Sequence, residues 1–199
     1  MVFPVCASAD FVRVEYEGVV QLVSGFGCSG CDFAPDDPEF INYSVGDRIS
    51  GFLMIDLAAA PPDSQPRREL GVYPAPPRSS GYIRGIGDPM IHMDGVLVDT
   101  VSVRDSSQQK RFEHYRITDN FSTPNGFGQL EINVDSRRAG LDLVNGDGIA
   151  QTFDAARGHG LEMTGHLQKR FARPEASVSV LFSLLFDRVK VTAPGQCKP

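Results

Sequence analysis

Tyr43-Ser44-Val45-Gly46-Asp47-Arg48-Ile49-Ser50-Gly51-Phe52-Leu53-Met54-Ile55-Asp56 opens on a Gly-Asp turn and passes straight into a repeat of period two. In an extended strand successive side chains point to opposite faces, so Ile49, Leu53 and Ile55 fall together on a buried side. Phe52 and Met54 fall on the other. They are either a contact surface or the underside of something that covers them.

The same alternation recurs on both sides of this segment. Upstream, Phe11 to Ser24 places Val12, Val14, Tyr16, Gly18, Val20 and Leu22 opposite Arg13, Glu15, Glu17 and Gln21. No helical period separates this strand from the next, so the two are expected to pair antiparallel. Downstream, Met90 to Arg104, Arg111 to Thr118, Gly128 to Val134 and Leu161 to Leu167 read as further strands. Leu141 and Leu143 lead into Asn145-Gly146-Asp147-Gly148, and Ile149 to Phe153 leads away, which is the turn chemistry of a tight hairpin. The last strand, Ala176 to Val191, buries Val178, Val180, Phe182, Leu184 and Phe186. It then changes phase before Val189 and Val191, which predicts a bulge near Asp187-Arg188. Leu181 and Leu185 on its other side predict a central strand covered on both faces. Together these patterns predict an all-β fold, an antiparallel β-sandwich or jelly roll of about eight to ten strands, with a closed β-barrel as the alternative.

Ala60 to Pro89 departs from this grammar. It holds half of the chain's 14 prolines and shows no sustained period. A long loop inside a compact domain is commonly functional, so 60–89 is expected to form an ordered flap with a short strand near Gly71 to Tyr73. Tyr73, Tyr82, Arg78 and Arg84 make it the first candidate for ligand binding.

With 199 residues, 41% hydrophobic and 22% charged, the chain has the composition of one globular domain, here residues 10–199. A formal net charge of -6 with scattered arginines argues against nucleic acid, which needs a basic stripe. No apolar run approaches the roughly 18 residues of a bilayer-spanning helix, so no transmembrane segment is expected. Residues 1–9, ending Ala7-Ser8-Ala9, read as the remnant of a signal peptide, or else as a plain apolar first strand. Export would place the chain in a secreted, periplasmic or cell-surface setting. There Cys28 and Cys31, in the Gly-rich turn Cys28-Ser29-Gly30-Cys31, could close a disulfide ring worth roughly 2 kcal/mol.

Reactive constellations are sparse. Asp142, Asn145 and Asp147 offer hard oxygen ligands around a glycine turn, the donor set Ca²⁺ prefers, though the turn itself already accounts for two of them. The expected cofactor is therefore none, with Ca²⁺ as the alternative. His159, Glu162 and His166 would share a face only on a helix, which Gly158, Gly160 and Gly165 oppose. Histidines, acids and serines suited to hydrolysis are present, His114 and Glu113 among them, but without a nucleophile elbow. Glu15, Glu17, Glu131 and Asp142 are the nominal carboxylates for a glycosidase pair, which would have to converge in space. Neither a Walker loop nor a Rossmann glycine pattern follows any strand.

Three stretches, Tyr16-Glu17-Gly18-Val19-Val20, Tyr43 to Gly51 and His114-Tyr115-Arg116-Ile117-Thr118-Asp119-Asn120, together with the ending Val189-Lys190-Val191-Thr192-Ala193-Pro194, carry a resemblance. The chain resembles a group of uncharacterised exported bacterial β-rich proteins of the PEP-CTERM-associated type. Residues Gly195 to Pro199 do not show that group's apolar anchor and basic cluster. The resemblance implies export and supplies no catalytic residues. The expected function is a non-catalytic secreted structural or binding module of the cell envelope or extracellular matrix, partnered by a glycan or another matrix protein. A carbohydrate-binding module, with or without Ca²⁺, and a jelly-roll glycan-acting enzyme are the alternatives.

Overall fold

The computed structural model describes residues 11–26, 44–58, 62–63, 70–74, 79–85, 91–94, 97–104, 113–123, 126–136, 141–146, 148–158, 160–172 and 177–195. Among them are eleven strands and no helix: β1 (Phe11–Phe26), β2 (Arg48–Asp56), β3 (Leu70–Pro74), β4 (Ser79–Gly85), β5 (Ile91–Asp94), β6 (Leu97–Arg104), β7 (His114–Thr123), β8 (Gly126–Ser136), β9 (Phe153–Ala156), β10 (Leu161–Ala172) and β11 (Ser177–Thr192). All pairings are antiparallel, in the order β3-β6-β7-β8-β10-β11-β1-β2-β4-β5, with β9 joined to β11. The all-β antiparallel expectation holds, and the strands form one sheet curled over its core. The curl brings β5 back within 8 Å of β7, Cα to Cα.

Alternation decides what lies inside. Val12, Val14, Tyr16 and Val20 of β1, Ile49, Leu53 and Ile55 of β2, Tyr115 and Ile117 of β7, and Leu130, Ile132 and Val134 of β8 are all buried. Phe182, Leu184 and Phe186 of β11 join them, with the Phe186 ring edge-on to Tyr16 at 5.7 Å. Each such side chain withdrawn from water contributes about 1.5–3 kcal/mol. The opposite face carries Arg13, Glu15, Glu17, Arg116, Glu131, Arg188 and Lys190 together with Phe52, Met54, Leu181 and Leu185. No helix among the described residues is long and apolar enough to cross a membrane.

The Gly46-Asp47 turn forms as expected. Gly46 sits at φ 96°, the Asp47 carboxylate accepts from the Ser44 amide at 2.7 Å, and Val20 exchanges backbone hydrogen bonds with the turn. Bulges then set the phases. Arg188 pairs with Glu17 but Phe186 with Gly18, so Asp187 is the extra residue and burial passes from Phe186 to Val189, at the place the sequence indicates. A second shift leaves Gln21 unpaired, which turns Leu22 out to 55% exposure instead of inward. β11 is central, between β10 and β1, but Leu181 and Leu185 are only half-buried, so the second cover expected over them is incomplete.

Three segments differ from the sequence reading, the first being Met90 to Arg104, read as one strand but divided into β5 and β6, which lie in different parts of the strand order. The proline-rich stretch contains β3 near the expected place and also β4, a sheet strand between β2 and β5. Among the described residues of 141–152 there is no hairpin. Leu143, Val144 and Ile149 are buried, so the segment folds inward onto the core. A buried loop must satisfy its own main chain, and three side chains do this. The buried Glu113 carboxylate accepts from the Leu143 and Val144 amides at 2.6 and 3.2 Å, and the Tyr115 hydroxyl donates to the Ile149 carbonyl at 3.1 Å. Gln151 accepts from the Asn145 amide at 2.9 Å and donates toward the carbonyls of Asn145, Gly146 and Gly148, the last at 2.6 Å. Gln151→Ala should therefore cost about 2 kcal/mol, read as a lower denaturation midpoint, because a hydrophobic side chain there leaves those groups unpaired.

Candidate functional site

The outer face holds a depression of about 320 Å³ where β2, β1 and β11 lie side by side. Register assembles it. Glu15 stands between Phe52 and Lys190, and Glu17 stands between Ser50 and Arg188. Tyr16 and Gly51 also border it. Since the Tyr16 side chain is buried on the core side, Tyr16 contributes main chain to the floor.

The charged groups are held by one another. Arg13 donates to Glu15 Oε1 at 3.1 Å through Nε and lies 4.4 Å above the Phe52 ring centroid. Lys190 Nζ is 3.8 Å from the other Glu15 oxygen. Arg188 makes a two-pronged pair with Asp154 of β9, at 2.7 and 2.5 Å. The Arg188 hydrogen bond holds the Asp154 carboxyl below the usual aspartate range, desolvation acting against it and the charges of Arg188 and Lys190 adding to it. A carboxyl lowered in the folded state stabilises at pH above its unfolded value, and this is lost as pH falls through the folded one. Both partners are exposed, so Asp154→Asn should lower the melting temperature only slightly at neutral pH. Thermal melts of the variant and the parent should converge as pH drops below the usual aspartate value of about 3.9.

Elsewhere on the outer face Arg116 pairs with Glu131 at 2.5 Å, and His166 stands 3.9 Å from the same oxygen and 3.3 Å from Gln129 Oε1. Ser102 Oγ and His114 Nε2 are 3.1 Å apart. That is hydroxyl-to-imidazole reach for a nucleophile and base, yet neither residue borders the depression. A second recess, about 370 Å³, lies beside Arg157, Leu161, Glu162, Met163 and Leu185, where the chain between β9 and β10 leaves β11.

Of the residues named from sequence, Asp142 and Asn145 are exposed, and the main chain of Asn145 is taken by Gln151. Asp147 lies outside the described residues. No group of three or more His, Cys, Asp or Glu able to hold a metal occurs among the described residues. Tyr73 is on β3, at one end of the strand order, and Tyr82 and Arg84 are on β4, next to the other end. Their side chains, all of Arg78, residues 1–9 and the pair Cys28 and Cys31 lie outside the described residues. Tyr82 stands opposite Phe52 in register, which extends the row Lys190, Glu15, Phe52 by one strand.

Glu15 and Glu17 are the only nominal glycosidase carboxylates that border the depression. Arg13, Arg188 and Lys190 were not picked out by sequence. The signal for them is the pairing of β1 with β11, which lie at opposite ends of the described chain. Comparison with family models, with curated proteins and with solved structures finds no match, so the chemistry of this depression is read from its own residues.

Proposed function

We propose that the chain is a non-catalytic binding module of the bacterial cell envelope or extracellular matrix, and that it makes contact through the outer face of β2, β1 and β11. The observation that carries this reading is the depression itself. It is open to solvent and lined by paired charges beside an aromatic ring, while the inside of the sheet is filled by apolar side chains. Export fits the resemblance of its strand motifs to PEP-CTERM-associated proteins and the small-residue pattern at residues 7–9. The test is retention of the folded chain on an isolated envelope or matrix fraction. Retention should fall when Arg13, Arg188 and Lys190 are all changed to glutamate, with the melting temperature checked separately. Equal retention of both proteins would remove the reading.

A second reading, a glycan-acting enzyme, is favoured by one observation. Glu15 and Glu17 leave the same face of β1 two residues apart and both border the depression, as a pair of carboxyls acting on one sugar must. It requires release of reducing ends from a polysaccharide, and a drop of about a hundredfold in Glu15→Gln and in Glu17→Gln. Undiminished release in both variants would exclude this pair.

A further inference from the structure

Resting on the binding-module reading, we infer that the depression over β2, β1 and β11 is a subsite for a neutral saccharide, one that carries neither carboxylate, sulfate nor amine. The first support is charge balance. Arg13, Lys190 and Arg188 line the depression beside Glu15 and Glu17, and Arg188 is also clamped from outside it by Asp154 of β9, so both signs of charge stand side by side on the floor. An anionic ligand would meet two glutamates, and a cationic one would meet two arginines and a lysine. A neutral ligand with many hydroxyls meets no such opposition, because each hydroxyl both donates to a carboxylate and accepts from a guanidinium or ammonium.

The second support is the manner in which these groups are fixed. Glu15 is tied by Arg13 at 3.1 Å and by Lys190 at 3.8 Å, and Arg188 is tied by two hydrogen bonds to Asp154. Planar groups held before the ligand arrives lose little freedom on binding, which suits the bidentate grip of adjacent hydroxyls. The third support is Phe52. Its half-buried ring shares the row with Glu15 and Lys190 and carries the Arg13 guanidinium 4.4 Å above its centroid, so it holds that donor in place beside Glu15. About 320 Å³ is near the lower bound of ligand pockets, so one or two rings of a longer chain would be held.

The test is titration of the ¹⁵N-labelled full chain, followed by amide shifts. The probes are neutral gluco-, galacto- and manno-configured oligosaccharides, an oligouronate, a sulfated oligosaccharide and an amino-sugar oligomer. A neutral probe should move the amides of residues 13–17, 50–52 and 188–190. Phe52→Ala and Arg188→Ala should each weaken that binding at least about tenfold, while Gln168→Ala, on the same outer face but away from the depression, should not change it. Preferential response to a charged probe, or a neutral response that survives both substitutions, would overturn the inference. If no saccharide moves these amides while the chain is still retained on envelope material through Arg13, Arg188 and Lys190, the saccharide assignment fails and the module reading stands. If retention is lost as well, both fail.

Discussion

Gly165→Ala should be among the most destabilising single substitutions in this protein, and Gly165→Val should prevent accumulation of folded chain. A Cβ at this position would lie 2.0 Å from the main-chain oxygen of Glu131 and 2.9 Å from Cε2 of Phe186. The first contact is with backbone held in the β8–β10 ladder, where Gly165 pairs with Ile132, so relief requires the two strands to separate. The second is with a ring that is fully buried against Tyr16. Overpacking of this kind costs about 3 kcal/mol or more, against a total stability of about 5–15 kcal/mol for a domain. Gly18→Ala should act in the same direction, since its Cβ would meet the Leu185 oxygen at 2.4 Å. Urea denaturation with an unchanged slope and a much lower midpoint is the expected result. A midpoint equal to the parent's would show that the ladder gives way easily.

The second large effect is expected at Glu113. Its side chain is 2% exposed and accepts two main-chain amides, those of Leu143 and Val144, and its own carbonyl accepts from Ser136 at 2.8 Å. Glu113→Ala leaves two buried donors without an acceptor, at about 1–3 kcal/mol each, and loosens the segment that carries Leu143, Val144 and Ile149 into the core. Glu113→Gln keeps one acceptor oxygen and should lose less. Hydrogen exchange separates local from global loss. Amides 143 and 144 should exchange faster in Glu113→Ala even where the strands remain protected, and unchanged protection there would refute the assigned role.

Both residues show how legibility divides. Gly18 was readable as a member of an inward face and Gly165 as part of the strand Leu161 to Leu167, because alternation survives a missing side chain. Their necessity was not, because it depends on where Phe186 and the Leu185 carbonyl arrive from another strand. The Asp187 bulge was legible because an extra residue shifts the phase of every position after it. Residues 141–152 were misread for a physical reason: Asn-Gly-Asp-Gly favours a tight turn locally, but Leu143, Val144 and Ile149 gain more by burial once Glu113, Tyr115 and Gln151 satisfy the main chain. The depression was half visible, since Phe52 and Glu15 each stood out on their own strands. What joined them to Lys190 and Arg188 was a register between distant segments, which no local pattern encodes.

The pairing of β1 with β11 has a consequence for how the chain reaches its folded state. The middle of the sheet is formed by its earliest and latest described strands, so the ladder that organises the core is the most non-local one in the molecule. Closure over such a separation is slow and comes after the local hairpins. A nascent chain emerging from the ribosome therefore has its two halves, β2 with β4 and β6 with β7 and β8, without the seam that joins them. During that interval apolar faces remain open to chaperones and to self-association. A substitution that slows only this last closure would therefore lower the yield of folded chain without changing the stability of what does fold.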